Sequence, residues 1–468
     1  MGGRLTSWVR AVRLRKQAAA TATLLLGGLL LPGCWLSQAS PVPPDTLLAT
    51  DSLTTLTCPS TGFCVALGAY DAGPPNSGLP LPFTDILSDD SWTVSVPPLP
   101  SNADGQDASL DSVSCSSVGS CVAVGSYVVT PNVDSRVLIE TLTNGSWTAL
   151  QAPLPSDADT SKQAAELTDV SCASDGTCVA IGTYTISNSV LPSPFIETLL
   201  SGAWNASVPP VPSGDTDENG LDDVSCPSAS TCIVTVGNFV ETLVSGQWEA
   251  ADFPEPSGTQ NVNVGPLSCL ASGFCLATGS YYSTSEDQTG PLFEVYSDGT
   301  WTASLAPVPG DASVPATNLL IGQPICVSAD YCVAIGIYET TSDQWAIFSE
   351  LYSSGSWTLV GIPLPSNAVT SEGLGVKGLS CASGPTCTVI GTFDTASSAD
   401  PFAFSSTLSG GSWTLGELTW PVASSDLTST MLSGISCPST LLCFAVGSYG
   451  TTSDGGPTIS TEFNLSLP

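Results

Sequence analysis

Apolar and polar positions alternate along this chain in short segments that are separated by turns. In one representative repeat, Val, Ile, Thr and aromatic residues are concentrated in four segments, 167–172, 178–184, 195–200 and 204–208. Such segments, with turn residues between them, are typical of β-strands. Each repeat is therefore predicted to contain four strands, called strands a, b, c and d in chain order.

Cysteine sets the period of the repeats. After Cys34, the other sixteen cysteines occur as eight pairs with five residues between the two members. The pairs are Cys58/Cys64, Cys115/Cys121, Cys172/Cys178, Cys226/Cys232, Cys269/Cys275, Cys326/Cys332, Cys381/Cys387 and Cys437/Cys443. A regular period of this kind indicates a repeat architecture. This spacing is uncommon for zinc, and the chain has no histidine to complete a mixed site, so we expect one local disulfide in each repeat.

Other residue types recur in step with the cysteines. A tryptophan follows a short Gly-, Ser- or Asp-rich turn in seven repeats, and we expect these rings to pack between sheets. They are Trp92, Trp147, Trp204, Trp248, Trp301, Trp357 and Trp413.

An acid stands seven residues before the tryptophan in six repeats. The acids are Asp85, Glu140, Glu197, Glu241, Glu294 and Glu350; Ser406 interrupts the column and Glu462 resumes it. They form either a cation-binding ring or strand residues that bond a neighbouring turn or face solvent. The second interpretation is favoured, because a residue repeated at equivalent positions usually maintains the repeat.

Four antiparallel strands per repeat are typical of a β-propeller blade. The last repeat lacks its tryptophan segment, whereas Trp35 precedes Cys58 by the same 23 residues that separate Trp92 from Cys115. The N-terminal segment 35–44 is therefore predicted to pair beside Glu462–Leu467 and to close a ring.

The predicted fold is all-β, an eight-bladed propeller of four-stranded antiparallel blades with one disulfide per blade. It forms a single domain over residues 34–468. An open β-solenoid is the alternative, but it would not need a permuted first strand.

The N-terminus has the features of an export signal. Five basic residues lie in the first 16 positions, and an apolar run extends from Ala18 to Leu31. This pattern predicts a signal peptide over residues 1–33 rather than a membrane span. The signal ends in Leu31-Pro32-Gly33-Cys34, which resembles the lipobox of bacterial lipoproteins. The resemblance implies lipidation of Cys34; Pro32 departs from the usual small residue, and plain secretion is the alternative.

Charge excludes several classes of partner. Only Arg136, Lys162 and Lys377 remain after residue 33, against 42 acids, which gives a net charge of −39. Nucleic-acid binding needs basic patches and is excluded. Docking of the folded domain on anionic lipid is disfavoured for the same reason, so the membrane is expected as a partner only through the lipid anchor.

The turn Ser297-Asp-Gly-Thr-Trp301 resembles the Asp-box turn of sialidase-type propellers. The first repeat keeps the aspartate, Asp89, but has Asp90 in place of the glycine. Sialidase activity would imply an arginine cluster that grips a carboxylate, and one arginine after residue 33 nearly excludes it. The Cys–Trp repeat is also similar to uncharacterised repeat proteins secreted by actinobacteria, a resemblance that implies no activity.

The segment from Asp215 to Asp223 is the sharpest local motif. Its pattern, D-x-D-x-N-G-x-x-D, resembles the calcium loops of dockerins and of integrin propeller blades. The resemblance implies a calcium ion held by Asp215, Asp217, Asn219 and Asp223. The alternative is a solvated acidic turn, since no glutamate follows at the twelfth position.

Long, variable loops follow strands b and d, on the face where we expect binding. Arg136, Tyr282, Trp345 and Trp420 break the repeat pattern and are the weak binding candidates; each has local packing as its alternative.

Without histidine or free thiols in the repeats, Ser-His-Asp and Cys-His catalysis is excluded, and no catalytic residue stands out. We expect an exported, lipid-anchored or secreted, non-enzymatic binding or scaffold module for a protein or glycan on the outer side of the cell membrane. The alternative is a secreted carbohydrate-active enzyme with paired carboxylates.

Overall fold

The structure is a computed structural model. It describes residues 36–39, 43, 52–71, 80–105, 107–129, 134–159, 163–174, 176–187, 192–212, 220–228, 230–283, 288–313, 320–371, 373–382, 384–396, 398–416, 418, 420, 427–451 and 461–466. Regular structure in these residues is β throughout, in 33 strands. Within these ranges, no helix has the length and apolar character needed to cross a membrane.

The strands follow one another as the repeats predict. The first strand is β1 (Leu36–Ala39). Blade 1 contains β2 (Ser52–Ser60), β3 (Phe63–Asp71), β4 (Pro80–Ser88) and β5 (Ser91–Ser95). Blade 2 contains β6 (Ala108–Ser117), β7 (Ser120–Val129), β8 (Asp134–Thr143) and β9 (Ser146–Gln151). Blade 3 contains β10 (Ala165–Cys172), β11 (Cys178–Tyr184), β12 (Ser193–Leu200) and β13 (Ala203–Ser207). Blade 4 contains β14 (Asp223–Ser228), β15 (Thr231–Val236), β16 (Phe239–Val244) and β17 (Gln247–Asp252).

The second half of the chain continues the pattern. Blade 5 contains β18 (Thr259–Cys269), β19 (Cys275–Ser283), β20 (Gln288–Ser297) and β21 (Thr300–Leu305). Blade 6 contains β22 (Leu320–Ser328), β23 (Tyr331–Glu339), β24 (Trp345–Ser353) and β25 (Ser356–Gly361). Blade 7 contains β26 (Ala368–Val369), β27 (Gly375–Cys381), β28 (Cys387–Thr395), β29 (Ser398–Ser409) and β30 (Ser412–Gly416). The last strands are β31 (Leu427–Ser439), β32 (Leu442–Thr451) and β33 (Thr461–Ser466).

Blades 1 to 7 are each built from consecutive antiparallel strands, whereas one further sheet is composite. Its strand order is β1-β33-β32-β31, and β1 pairs antiparallel with β33 from Leu36↔Ser466 to Ala39↔Phe463. The predicted count of eight therefore needs a correction, because seven blades, not eight, consist of consecutive strands; in blade 7 the first strand position is divided between β26 and β27, which both pair with β28. The physical reason is that the last repeat supplies only three strands to its sheet, and the N-terminal segment supplies the fourth, as its sequence predicts.

The inner strands pack against one another around a propeller-like ring. Each inner strand contacts the inner strand of the next sheet, and β31 of the composite sheet contacts both β27 and β2. A repeated hydrogen bond links neighbouring sheets, since the cysteine N–H of one sheet donates to a serine Oγ of the previous one. Cys172 donates to Ser114 at 3.0 Å, and Cys58 donates to Ser436 of the composite sheet at 3.1 Å.

The eight predicted disulfides are present, and each bond lies within one cysteine pair. They are Cys58–Cys64, Cys115–Cys121, Cys172–Cys178, Cys226–Cys232, Cys269–Cys275, Cys326–Cys332, Cys381–Cys387 and Cys437–Cys443. Each bond crosses from strand a to strand b next to the a–b turn. The disulfides therefore clamp one end of every sheet, which we call the hairpin face; it carries the a–b and c–d turns. The opposite end carries the b–c and d–a connections and is called the loop face.

The two cysteines of a pair differ in burial, which their spacing does not predict. The second cysteine is buried in every pair, at no more than the 5% exposure of Cys443, and it packs in an apolar cluster between sheets. These buried members are Cys64, Cys121, Cys178, Cys232, Cys275, Cys332, Cys387 and Cys443. The predicted disulfide role of the paired cysteines is confirmed, and the buried members pack in the core between neighbouring sheets.

Apolar side chains fill the layers between sheets. Between blades 2 and 3, Val137 and Ile139 of β8 pack with Ala180 and Phe195. The tryptophans lie in the same layers, as predicted, and three of them also donate a hydrogen bond to the preceding blade. Trp147 Nε1 donates to Thr84 Oγ1 at 3.1 Å, which fixes the outer strand of blade 2 against blade 1.

Candidate functional site

The inner strands, which line the channel at the axis of the ring, are irregular. An aliphatic residue recurs five positions before the first cysteine of each pair: Leu53, Leu110, Leu167, Leu221, Val264, Ile321, Val376 and Leu432. In seven of the described inner strands, the pairing register shifts just after this repeated aliphatic residue, which indicates a β-bulge. Two residues per inner strand follow that aliphatic residue at the channel. They are Thr54/Thr55, Asp111/Ser112, Thr168/Asp169, Asp222/Asp223, Gly265/Pro266, Gly322/Gln323, Lys377/Gly378 and Ser433/Gly434.

A hydrogen-bonded chain of polar residues crosses one side of the channel. We call Ser112, Asp169, Asp223 and Gln323 the polar belt. Ser112 Oγ donates to Asp169 Oδ1 at 2.7 Å, and Gln323 Nε2 donates to Asp223 Oδ2 at 3.5 Å. The carboxyls of Asp169 and Asp223 are hydrogen-bonded to each other.

The proximity of the two carboxyls affects the pKa of Asp223. Burial, followed by the negative charge of Asp169, raises the pKa of Asp223 well above its ordinary value. Backbone N–H groups also serve Asp223, because Val224 N donates to Oδ1 and Leu267 N donates to Oδ2, both at 2.8 Å. The belt is thus saturated by partners within the protein and ties blades 2 to 6 together.

The other side of the channel contains a cavity of about 1010 Å³. It lies against the inner strands of blade 6, blade 7, the composite sheet and blade 1. Glycine creates much of this space, since Gly378 and Gly434 stand where the belt has carboxylates. A Cβ at Gly434 would lie 3.1 Å from the backbone of Thr55 and Leu56, so the strands approach closely there.

The cavity wall is mainly aliphatic, with few polar groups. Its branched aliphatic residues include Ile321, Ile337, Leu374, Val376, Leu379 and Ile435. Gln323 connects the cavity to the polar belt, and the exposed Lys377 is the single lysine among the described residues. Burial raises the pKa of Asp111 and Asp222, which lie on the opposite half of the channel. The site therefore joins an apolar surface and one cation in an otherwise acidic protein.

The four weak binding candidates are not brought together. Trp345 lines the cavity at the loop face, where its backbone N–H donates to the carbonyl oxygen of Thr370 at 2.6 Å. Arg136 of blade 2 forms an ion pair with Asp134 at 3.7 Å. Tyr282 lies in β19 of blade 5, and the ring of Trp420 is 6.5 Å from that of Tyr449.

The calcium motif is described only in part. Asp215, Asp217 and Asn219 lie outside the described residues, as do Cys34 and the signal segment 1–33. Asp223 is described and uses both carboxyl oxygens in the polar belt. Within the described ranges, no three acidic, cysteine or histidine side chains are grouped to hold a metal. Calcium binding stays a prediction.

The repeated acids lie between blades and do not ring the channel. All six are fully buried, so the expectation that they face solvent is wrong, and for the five glutamates the expected bond to a turn is not found among the described residues. Glu462 does not continue their column, because Glu462 pairs with Ser448 and the equivalent position is occupied by Leu465 opposite Ala445. The five glutamates have no hydrogen-bond partner among the described residues, and burial raises the pKa of each to about 8.

Sequence reasoning missed Lys377, Gln323 and the Asp169–Asp223 pair. A signal was present, because the two positions after the repeated aliphatic residue vary among Thr, Asp, Ser, Gly, Pro, Gln and Lys, while the residues on either side of them are aliphatic in nearly every repeat.

Comparisons with known proteins show similarity of fold only. No protein-family profile matches the chain, and no curated protein sequence matches it. Among solved structures, YCF48 from Cyanidioschyzon merolae is 10% identical, with 79% of this chain and 97% of that chain covered and a TM-score of 0.40. YCF48 bound to D1 peptide is 13% identical, with 77% and 91% covered and a TM-score of 0.41. A Hadza microbial sialidase is 11% identical, with 67% of each chain covered and a TM-score of 0.37. Likeness at this level carries no argument about function.

Proposed function

We propose that this protein is an exported, non-enzymatic binding module that takes part of a partner into the channel cavity. Eight disulfides fit an oxidising compartment outside the cytoplasm. The observation that carries the proposal is the cavity of about 1010 Å³ on a rigid ring of inner strands. Binding sites are typically concave, mostly apolar and equipped with a few placed polar groups.

The lining favours an apolar segment of a protein partner over a glycan. A sugar buried in the cavity would need partners for its many hydroxyl groups, because an unpaired buried polar group is costly. Lys377, Gln323, Thr55 and Ser433 are the polar side chains on a wall that otherwise consists mostly of glycine and branched aliphatic residues. An apolar segment with one acidic group nearby would satisfy both the aliphatic wall and Lys377.

The alternative, a carbohydrate-active enzyme, requires two carboxylates with room for substrate between them. The carboxyls of a glycosidase stand about 5 Å or more apart. Asp169 and Asp223 are in hydrogen-bond contact, and their remaining bonds are to groups of the protein itself. This pair therefore supports a structural role in the channel.

A cavity-filling variant tests the binding function. A Cβ at Gly322 would have one neighbour, Ile335 O at 3.6 Å, so Gly322→Leu can fill the cavity without strain. Gly361→Leu is the matched control, because nothing lies within 4 Å of a Cβ at Gly361 on the outer strand of the same blade. Purified mature protein is screened on peptide and glycan arrays, and hits are measured by calorimetry.

We expect apolar peptides to bind the wild type and the control but not Gly322→Leu. Glycans that bind all three proteins equally would place the activity outside the cavity and overturn the proposal. Turnover of a glycan by the wild type would favour the enzyme instead.

We further propose that the composite sheet serves as the eighth blade and that Cys34 carries a lipid anchor. The pairing of β1 with β33 and the bond from Cys58 to Ser436 support the first part. The lipobox-like sequence before Cys34 supports the second. Mass spectrometry of the N-terminal peptide from membrane-isolated protein tests the anchor, and an unmodified Cys34 would refute it.

A further inference from the structure

We propose that the hairpin face is the membrane-facing surface of this protein, with the side chain of Leu441 in contact with the bilayer. The loop face and the channel cavity then point away from the membrane, toward soluble partners. This orientation rests on the proposed anchor at Cys34. It is argued from the end of the sheet at which the anchor leaves, the distribution of acids and the position of exposed apolar side chains.

The anchor leaves the fold at the hairpin face. β1 begins at Leu36, which lies in the same row of the composite sheet as Ser466 and Phe444. Phe444 is three residues from Leu441, which forms the tip of the turn between β31 and β32. Cys34 precedes Leu36 by two residues, a reach of at most about 7 Å. A lipid on Cys34 therefore holds this end of the composite sheet close to the bilayer.

Acidic residues are scarce on the same face. Six of the eight segments between paired cysteines contain no charged residue. The a–b and c–d turns together hold five of the 42 acids, namely Asp89, Asp90, Asp175, Asp298 and Asp330. A bilayer with anionic lipid repels acidic surfaces within about a Debye length, so the face with the fewest acids is the one that approaches at least cost.

The two most exposed large apolar side chains lie on this face near the anchor, whereas less exposed ones, including Val96, Val208 and Val211, lie in the d–a connections at the loop face. Leu441 is 74% exposed and Val118 is 59% exposed, the two highest values for large apolar residues in the described chain. Both lie at the tips of a–b turns, in the composite sheet and in blade 2. The a–b turn of blade 1, residues 59–62, lies between these two sheets in the ring and is uncharged.

A single acyl chain gives only marginal binding, and contact by the protein adds to it. The test therefore uses the mature chain 34–468 alkylated at Cys34, which is the one cysteine outside the eight pairs, with a single sixteen-carbon chain. Partition into neutral phosphatidylcholine vesicles is measured by flotation for the wild type, Leu441→Asp and the control Val308→Asp. Val308 is 46% exposed in the d–a connection of blade 5, at the loop face. Unalkylated protein gives the baseline, and melting curves confirm that both variants fold.

We expect Leu441→Asp to lower the partition coefficient about fivefold or more, because an apolar contact with the bilayer is lost and a charge is added there. Val308→Asp should remain within about twofold of the wild type, since the loop face makes no contact in this orientation. Equal partition of Leu441→Asp and the wild type, or a larger loss for Val308→Asp, overturns the orientation. An unlipidated Cys34 in membrane-isolated protein would instead overturn the anchor, while ligand binding in the cavity would be unaffected by either result.

Discussion

Glu197 is fully buried, and its carboxyl has no hydrogen-bond partner in the part of the chain that the structure describes. It lies in β12 between Ala180 and Ala206 of the neighbouring strands, on the same side as Phe195. Phe195 packs in the layer between blades 2 and 3, so the carboxyl of Glu197 lies in that layer too. Replacement by glutamine keeps the shape and removes the ionisation.

The effect of Glu197→Gln depends on pH in a defined direction. Burial raises the pKa of Glu197 from 4.5 to about 8, so the folded state keeps a proton that the unfolded state releases. The stability associated with this proton is present in full below pH 4.5 and is lost as pH rises through 8. At pH 7 the loss amounts to about 3 kcal/mol for this one group.

Urea unfolding of the oxidised protein measures this term. We expect Glu197→Gln to raise the free energy of unfolding by up to about 3 kcal/mol near pH 7 and to leave it unchanged near pH 4. Glu249→Gln is the matched control, because Glu249 is exposed on the outer strand of blade 4. If glutamine at position 197 lowers stability near neutral pH, the carboxylate is charged and partnered there, and the reasoning is refuted.

Three further predictions follow from the sheets and the motif. The double change Cys172→Ser with Cys178→Ser should lower the free energy of unfolding by about 2 kcal/mol, the chain-entropy value for so short a loop, and an unchanged urea midpoint would contradict it. Deletion of residues 35–44 should lower the melting temperature far more than removal of 73–78 from the b–c loop of blade 1, since it takes β1 from the composite sheet; equal melting temperatures would remove the case for closure. Calcium should raise the melting temperature of the wild type but not of Asp215→Ala with Asp217→Ala, and sodium at matched ionic strength should do little; equal stabilisation of both proteins would leave the segment as a solvated turn.

The environment of the repeated acids was the feature that the sequence alone predicted least well. The acids Glu140 and Glu197 looked like solvated or turn-bonded strand residues, because a carboxyl is rarely buried without a partner. Their neighbours across the strands are alanines, as in Ala123 and Ala149 beside Glu140, and these small residues make room for the carboxyl in the layer between blades. Only the packing of two blades against each other shows that the space is closed to water.

The order of strands, the disulfide pairs and the need for a strand from the N-terminus were determined by the sequence. These features depend on local spacing: five residues between cysteines, turns between apolar segments and a tryptophan column that is displaced to Trp35. The polar belt and the cavity were decided by tertiary structure. Asp169 and Asp223 are 54 residues apart, and Gly378 and Gly434 belong to different sheets. Such residues meet only when the inner strands come together around one axis, and neither strand pattern nor spacing records which repeats end up side by side at the channel.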